Sequence, residues 1–264
     1  MDQDKPAMFA EDEQAAMRRV EERLEDLSGS SGLGLVQRIA LGCRFLARQG
    51  HGGNLAGQIT ARAEEAGTYW TTDWGRGFAD ACVSGVVRID REMNVVEGEG
   101  KPNPAIRFHL WIYETRPQTA AIVHTHPPFA SALGMTSEPF VVAHMDSAMF
   151  WDDCARLDHW PGLPLANEEG RIISEALGDK RSILLAHHGL LTAGSTFDEA
   201  LYLACLLERA CQMQIRARTL GAIRPIDPAL AAEARDFLLK PKLVSGTVDY
   251  WLRQIVRTDG DALQ

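Results

Sequence analysis

The run Ala121-Ile122-Val123-His124-Thr125-His126-Pro127-Pro128 sets two imidazoles at alternate positions where an apolar, β-branched segment ends. Residues i and i+2 of a strand point the same way, so His124 and His126 can offer nitrogen to a single point in space. That is half of a metal site. Taken alone, a His-x-His pair fits a structural or hydrogen-bonding role better, and the metal reading requires a third ligand. The stretch Ser182-Ile183-Leu184-Leu185-Ala186-His187-His188-Gly189 supplies one by the same device, a buried strand that carries histidines out at its carboxyl end. Ligands at the ends of neighbouring strands can converge on one ion. Three neutral imidazoles leave coordination positions open, as a catalytic rather than a structural centre requires.

Such a site needs elements to hold it. A helix from Leu33 to Arg48, carrying Leu35, Ile39, Leu41, Phe45 and Leu46, stops at Gly50. After Gly50-His51-Gly52-Gly53 come the expected strands Gln58 to Arg62, Thr68 to Thr72, Val86 to Asp90 and Asn94 to Val96, whose short turns imply antiparallel pairing. Helical spacing runs from Ile106 to Thr115, and a small-residue helix covers Phe129 to Gly134. Residues 136 to 167 read as irregular, with Pro139, Pro161 and Pro164. A helix over Asn167 to Leu177 precedes the second histidine strand. The capping box Thr196-Phe197-Asp198-Glu199 opens a long helix to about Leu220, and helices at Pro228 to Leu239 and Thr247 to Ile255 complete the chain. Ahead of all this, the charged segment Glu11 to Leu27 is helix-forming and Ser28 to Gly32 is a linker. The expected division is therefore an extension at 1–30 and one domain at 31–264, with carboxyl-terminal helices from about 221.

Composition bounds the function. The 264 residues are 45% hydrophobic and 24% charged, enough for a large core without disulfide or structural metal. A net charge of −9 with no long basic run argues against nucleic acid as a partner. Five scattered cysteines without a Cys-x-x-Cys suggest reduced thiols. The acidic amino terminus has no apolar signal core and no 18-residue apolar run occurs, so the expected setting is cytoplasmic and away from membranes.

With both histidine stretches in hand, the sequence resembles the class II aldolase/adducin family. The resemblance runs from about Leu35 to Arg218 and takes in Arg107 to Pro117 (Arg-Phe-His, then Tyr113 and Arg116-Pro117). It implies an α/β fold, a three-layer α/β/α arrangement around a mostly antiparallel sheet, in a homotetramer. It also implies a divalent metal, zinc first and manganese or iron as alternatives, held by His124, His126 and His188. The sugar-phosphate aldolases of this family carry a Pro-Ser-Ser-Glu run whose serines bind phosphate and whose glutamate moves the proton; here the matching run is Pro102-Asn103-Pro104-Ala105. The family's phosphate-binding asparagine appears as Gln58, and its Thr-Gly pair as Trp74-Gly75. These changes point to a substrate without phosphate, and Trp74 suits a carboxylate-bearing, aromatic one. The segment Leu207 to Gln212 resembles a divergent branch that includes uncharacterised aldolase-like proteins and a protein of aminocoumarin biosynthesis, for which iron-dependent oxygenation has been considered.

The expected activity is that of a metal-dependent lyase, cleaving or decarboxylating a small oxo- or hydroxy-acid through a metal-stabilised enolate. Alternatives are iron-dependent oxygenation of an aromatic hydroxy-acid and a non-catalytic adducin-like interaction module. His109 is the first candidate for the missing proton carrier, with Asp146 and Tyr113 behind it. Gln58, Trp74, Asn103, Arg107 and His144 are the expected substrate-binding residues, Arg107 through a carboxylate or else in a structural ion pair.

Overall fold

The structure, a computed structural model, describes residues 12–25, 32–163 and 167–264. Eight strands are found among them: β1 Gln58–Arg62, β2 Tyr69–Thr72, β3 Val86–Ile89, β4 Val95–Glu97, β5 Ala121–Thr125, β6 Cys154–Leu157, β7 Ser182–Leu185 and β8 Leu190–Gly194. They form one sheet in the order β4-β3-β2-β1-β5-β8-β7-β6. Only β6 and β7 pair in parallel; the other neighbours are antiparallel, so the sheet is mixed and mostly antiparallel.

Eight helices accompany the sheet: α1 Glu13–Glu25, α2 Leu35–Leu46, α3 Arg107–Thr115, α4 Pro128–Gly134, α5 Asn167–Leu177, α6 Phe197–Arg218, α7 Pro228–Leu238 and α8 Pro241–Thr258. Alternation along β5 decides which helices each residue meets. Ala121 and Val123 belong to a core with Leu41 of α2, Leu201 of α6 and Leu252 of α8. Ile122 belongs to the other core, with Phe108 and Ile112 of α3 and Ile173 of α5. The Val, Leu, Ile and Phe side chains among these are fully buried or nearly so, and each stabilises the fold by roughly 1.5–3 kcal/mol relative to exposure. His124 follows Ile122 by two residues and so faces α3.

Two strands depart from the sequence reading. β6 lies inside the stretch read as irregular, where Cys154 to Leu157 is too short for periodicity to separate from loop. β8 follows the second histidine stretch with a single glycine between, and it takes the place between β5 and β7. The two histidine strands are therefore separated by β8. At the start of α6, Thr196 Oγ1 accepts from the Glu199 N–H at 3.1 Å as a cap should, but Glu199 reaches one residue further back, to the Ser195 N–H. Glu11, Leu27 and residues 28–31 of the expected linker lie outside the described residues, as does Pro164. No described helix is long and apolar enough to cross a membrane.

α4 begins directly after the first histidine pair. Pro127 is its extended N-cap and Pro128 its first residue, which fits a position where no N–H is needed. The next two N–H groups, of Phe129 and Ala130, have no intrahelical partner and donate to the Glu208 carboxylate of α6 at 2.9 and 2.7 Å. The long helix thus fixes the chain where it leaves His126. Glu208 is buried, and burial raises its carboxyl pKa against the pull of the two donors. Glu208→Ala, which strands both donors, is expected to cost about 3 kcal/mol in urea unfolding, and Glu208→Gln, which keeps one acceptor, clearly less.

Candidate metal centre

His124 ends β5 and is buried; His126 follows, half-buried, and His188 sits half-buried in the turn between β7 and β8. One ligand nitrogen from each can be chosen so that all three lie within 4.8 Å of one another. The ring centroids of His188 stand 4.7 Å from His124 and 4.5 Å from His126. Nδ1 of His124 lies 2.8 Å from the Leu190 carbonyl, which can only accept, so Nδ1 carries the proton and Nε2 keeps its lone pair. That Nε2 stands 3.0 Å from Nε2 of His126, close to the roughly 3–3.5 Å expected of two nitrogens each about 2.0–2.1 Å from one ion. Burial lowers the pKa of all three rings, that of His188 to about 4, so the bases needed for a metal are unprotonated at neutral pH. The donor set fits a divalent transition ion.

The convergence depends on a backbone approach. Gly189 packs so tightly against β5 that a Cβ there would stand 2.2 Å from the Thr125 carbonyl oxygen and 2.9 Å from His126 Cδ2. Ahead of it, His187 adopts φ +56°, in the left-handed region, and is exposed. The His187 N–H donates to the Gly134 carbonyl at 3.1 Å, and the Ser131 hydroxyl to the His188 carbonyl at 3.2 Å. Both bonds tie the turn to α4.

The histidines open on a cavity of about 470 Å³. Of the residues expected from sequence, the structure brings Gln58, Trp74 and Asn103 to its wall. Asn103 is engaged with the backbone, donating to the Leu55 carbonyl and accepting from the Ala105 N–H. Arg107 is exposed and reaches Asn167 at 3.4 Å. His144 and Asp146 lie on a separate, smaller cavity of about 130 Å³, in the turn Met145–Phe150 and just before it. His109 and Tyr113 are buried under the sheet, sharing the Thr60 hydroxyl at 2.9 and 3.0 Å. Phe108 lies edge-on to both His109 and His124, and those two rings are 6.4 Å apart. Sequence reasoning missed the wall residues Leu55 and Leu163, for which no motif exists, and Thr60, which only the fold places between two aromatic partners. Apart from the three histidines, no titratable side chain lines the cavity among the described residues.

The model of the class II aldolase and adducin N-terminal domain matches residues 37–215. The chain belongs to the class II aldolase and adducin family. Among its relatives is 4-hydroxy-3-prenylphenylpyruvate oxygenase/4-hydroxy-3-prenylbenzoate synthase of Streptomyces roseochromogenus subsp. oscitans, 32% identical over 198 residues, 74% of this chain and 72% of that protein. Decarboxylase NovR of Streptomyces niveus is also 32% identical, over 74% of this chain and 73% of its own length. The solved structure of L-fuculose 1-phosphate aldolase from Glaciozyma antarctica PI12 superposes with a TM-score of 0.78 at 28% identity, covering 87% of this chain and 92% of that one. The class II aldolase fold of the chain is thereby shown, and the matched region holds all three histidines.

Two outcomes follow from this geometry. Gly189→Ala is expected to cost about 1–3 kcal/mol from overpacking alone, and to lower bound metal, measured by inductively coupled plasma mass spectrometry on the folded fraction. The second concerns pH. Burial pushes His51 and His109 down to about 3. Each is neutral when folded and takes up a proton near pH 6.5 when unfolded, so the unfolded chain binds more protons below that point. Their contribution is complete above pH 6.5 and falls by roughly 1.4 kcal/mol per pH unit for each as pH drops towards 3. The lowered rings of His124, His126 and His188 act in the same direction in the metal-free protein, so its urea midpoints should decline steadily from pH 6.5 to 5, and a flat profile contradicts the lowered pKa values.

Proposed function

We propose that the chain is a divalent-metal-dependent carbon–carbon lyase, cleaving or decarboxylating a small oxo- or hydroxy-acid that carries no phosphate. One observation carries this reading: three imidazoles converge on a cavity whose wall holds no Lys, Arg, Asp or Glu among the described residues. His124, His126 and His188 would hold the ion, zinc first and manganese or iron as alternatives. When bound, such an ion supplies Lewis-acid polarisation of an oxygen brought to it.

The chain's own part is to bind and orient. Leu55, Trp74 and Leu163 give the cavity an apolar wall, suited to excluding water from an aromatic or aliphatic body. Ala105 lines it where the family's sugar-phosphate aldolases are expected to place a carboxylate, and among the described residues no Lys or Arg lines it to hold a phosphate. A ring with a pKa near 3 is a poor general base at neutral pH, so the role that position supports for His109 is to back His124 through Phe108. The three-histidine set supports a catalytic role over an adducin-like interaction role. A cytoplasmic homotetramer is the assembly proposed, to be read by light scattering on the purified protein.

Iron-dependent oxygenation of an aromatic hydroxy-acid is the second reading, supported by the relative named as an oxygenase/synthase and by the Trp74 wall. Metal analysis with turnover of a panel of oxo- and hydroxy-acids tests both. His124→Ala and His188→Ala are expected to lose most of the bound metal and at least 100-fold in turnover, on the order of 3 kcal/mol. Variants that keep the parent's metal content would sink the proposal. Turnover preserved under argon supports the lyase, and turnover abolished there supports oxygenation.

A further inference from the structure

We infer that His51 is a positioning residue of the metal centre: its ring holds Thr125, the residue between His124 and His126, from the face of the sheet opposite His124, and so fixes the strand end that presents both ligands. The inference rests on reading the three histidines as ligands of one ion.

Alternation along β5 turns Thr125 away from His124 and towards the side on which Val123 meets α2. The turn that follows α2 meets it there. Gly50, at φ +89°, breaks the helical geometry of residues 47–51, and His51 is folded inward, 3% exposed. Its Nδ1 lies 2.8 Å from the hydroxyl of Thr125, which is fully buried. The other ring nitrogen, Nε2, is buried without a partner. What His51 offers beyond an apolar ring of its size is therefore one directed bond.

That bond is made at the tightest point of the centre. The Thr125 carbonyl is the group against which Gly189 packs, and this contact seats His188. Beyond His126 the same turn meets the chain again, since a Cβ on Gly50 would stand at an ordinary contact distance of 3.9 Å from Pro128 Cδ. The turn thus lies beside the backbone both before and after His126. α2, buried through Ile39, Leu41 and Leu46, continues directly into residues 47–51, so the ring is mounted on an element fixed in the core. A bound ion requires its ligand distances to within about 0.2 Å, so a shift too small to unfold the strand is enough to weaken binding. His51 does not line the histidine cavity, and its effect on the ion passes through the strand.

Cobalt titration of the metal-free protein, followed by visible absorption, reads affinity and coordination geometry without turnover. His51→Phe keeps a ring without the nitrogen, and Thr125→Val keeps the branched shape without the hydroxyl. Each is expected to weaken cobalt binding at least 5-fold and to shift the visible band. The double variant should lose no more than either alone, because all three lack one and the same bond. Thr125→Ser, which keeps the hydroxyl, should stay within 2-fold of the parent. If a single variant does not fold, the double variant carries the test, since replacing both polar partners by apolar groups of the same shape strands neither. Urea midpoints are measured alongside. Variants whose midpoints fall while cobalt affinity and band match the parent's make the bond structural only and overturn the inference, as does a serine variant as weak as the valine one. A parent that takes up no cobalt, or a His124→Ala variant that binds it as tightly as the parent, overturns the reading of the histidines as ligands, and the inference with it.

Discussion

The site depends on one close approach, the turn between β7 and β8 lying against the end of β5. A hydrogen atom at Gly189 is all that fits beside the Thr125 carbonyl, and this brings His188 to His124 and His126. Overlap of that kind cannot be relieved by a rotamer change, because backbone lies on both sides. The left-handed backbone of His187 belongs to the same constraint, since the turn must close within a few residues to re-enter the sheet as β8. Strain in a short turn is tolerated when the surrounding hydrogen bonds over-determine it, and here α4 supplies two, at His187 and His188.

Support for the ligands is layered outward from that contact. β8 gives the Leu190 carbonyl that sets the tautomer of His124, while α3 gives the aromatic edge against which the same ring rests. On the other side, Glu208 of α6 holds the start of α4 and so the exit of the His126 strand. The three histidines are therefore held by β8, α3 and α4 together, and these elements are anchored in the two cores that flank the sheet. Such a scaffold can keep an ion while the wall around it changes. Ala105 in place of a carboxylate, and a wall without Lys or Arg among the described residues, are changes of that kind.

Much of this was legible in the residues. Period-two spacing made His124 and His126 neighbours in space, and the repeat of an apolar strand ending in histidines pointed to a shared ion. Those signals are local, because a strand's alternation is fixed by its own backbone. The helix at Asn167–Leu177 and the strand at Gln58–Arg62 were readable for the same reason. β6 and β8 were not. One is four residues inside a proline-bearing stretch, and the other follows the His187-His188 pair after a single glycine, so neither offers a pattern distinct from loop.

The sequence by itself determined that three histidines are delivered at strand ends and that the carboxylate and serines of the family's phosphate chemistry are missing. Only the tertiary structure decided which groups share the cavity. His144 and Asp146 went to another cavity and His109 went under the sheet, while Leu55 and Leu163 came to the wall. Ligand spacing is a short-range property of the backbone, whereas the lining of a cavity is made by segments far apart in the chain, and their meeting depends on how the whole sheet and its helices pack.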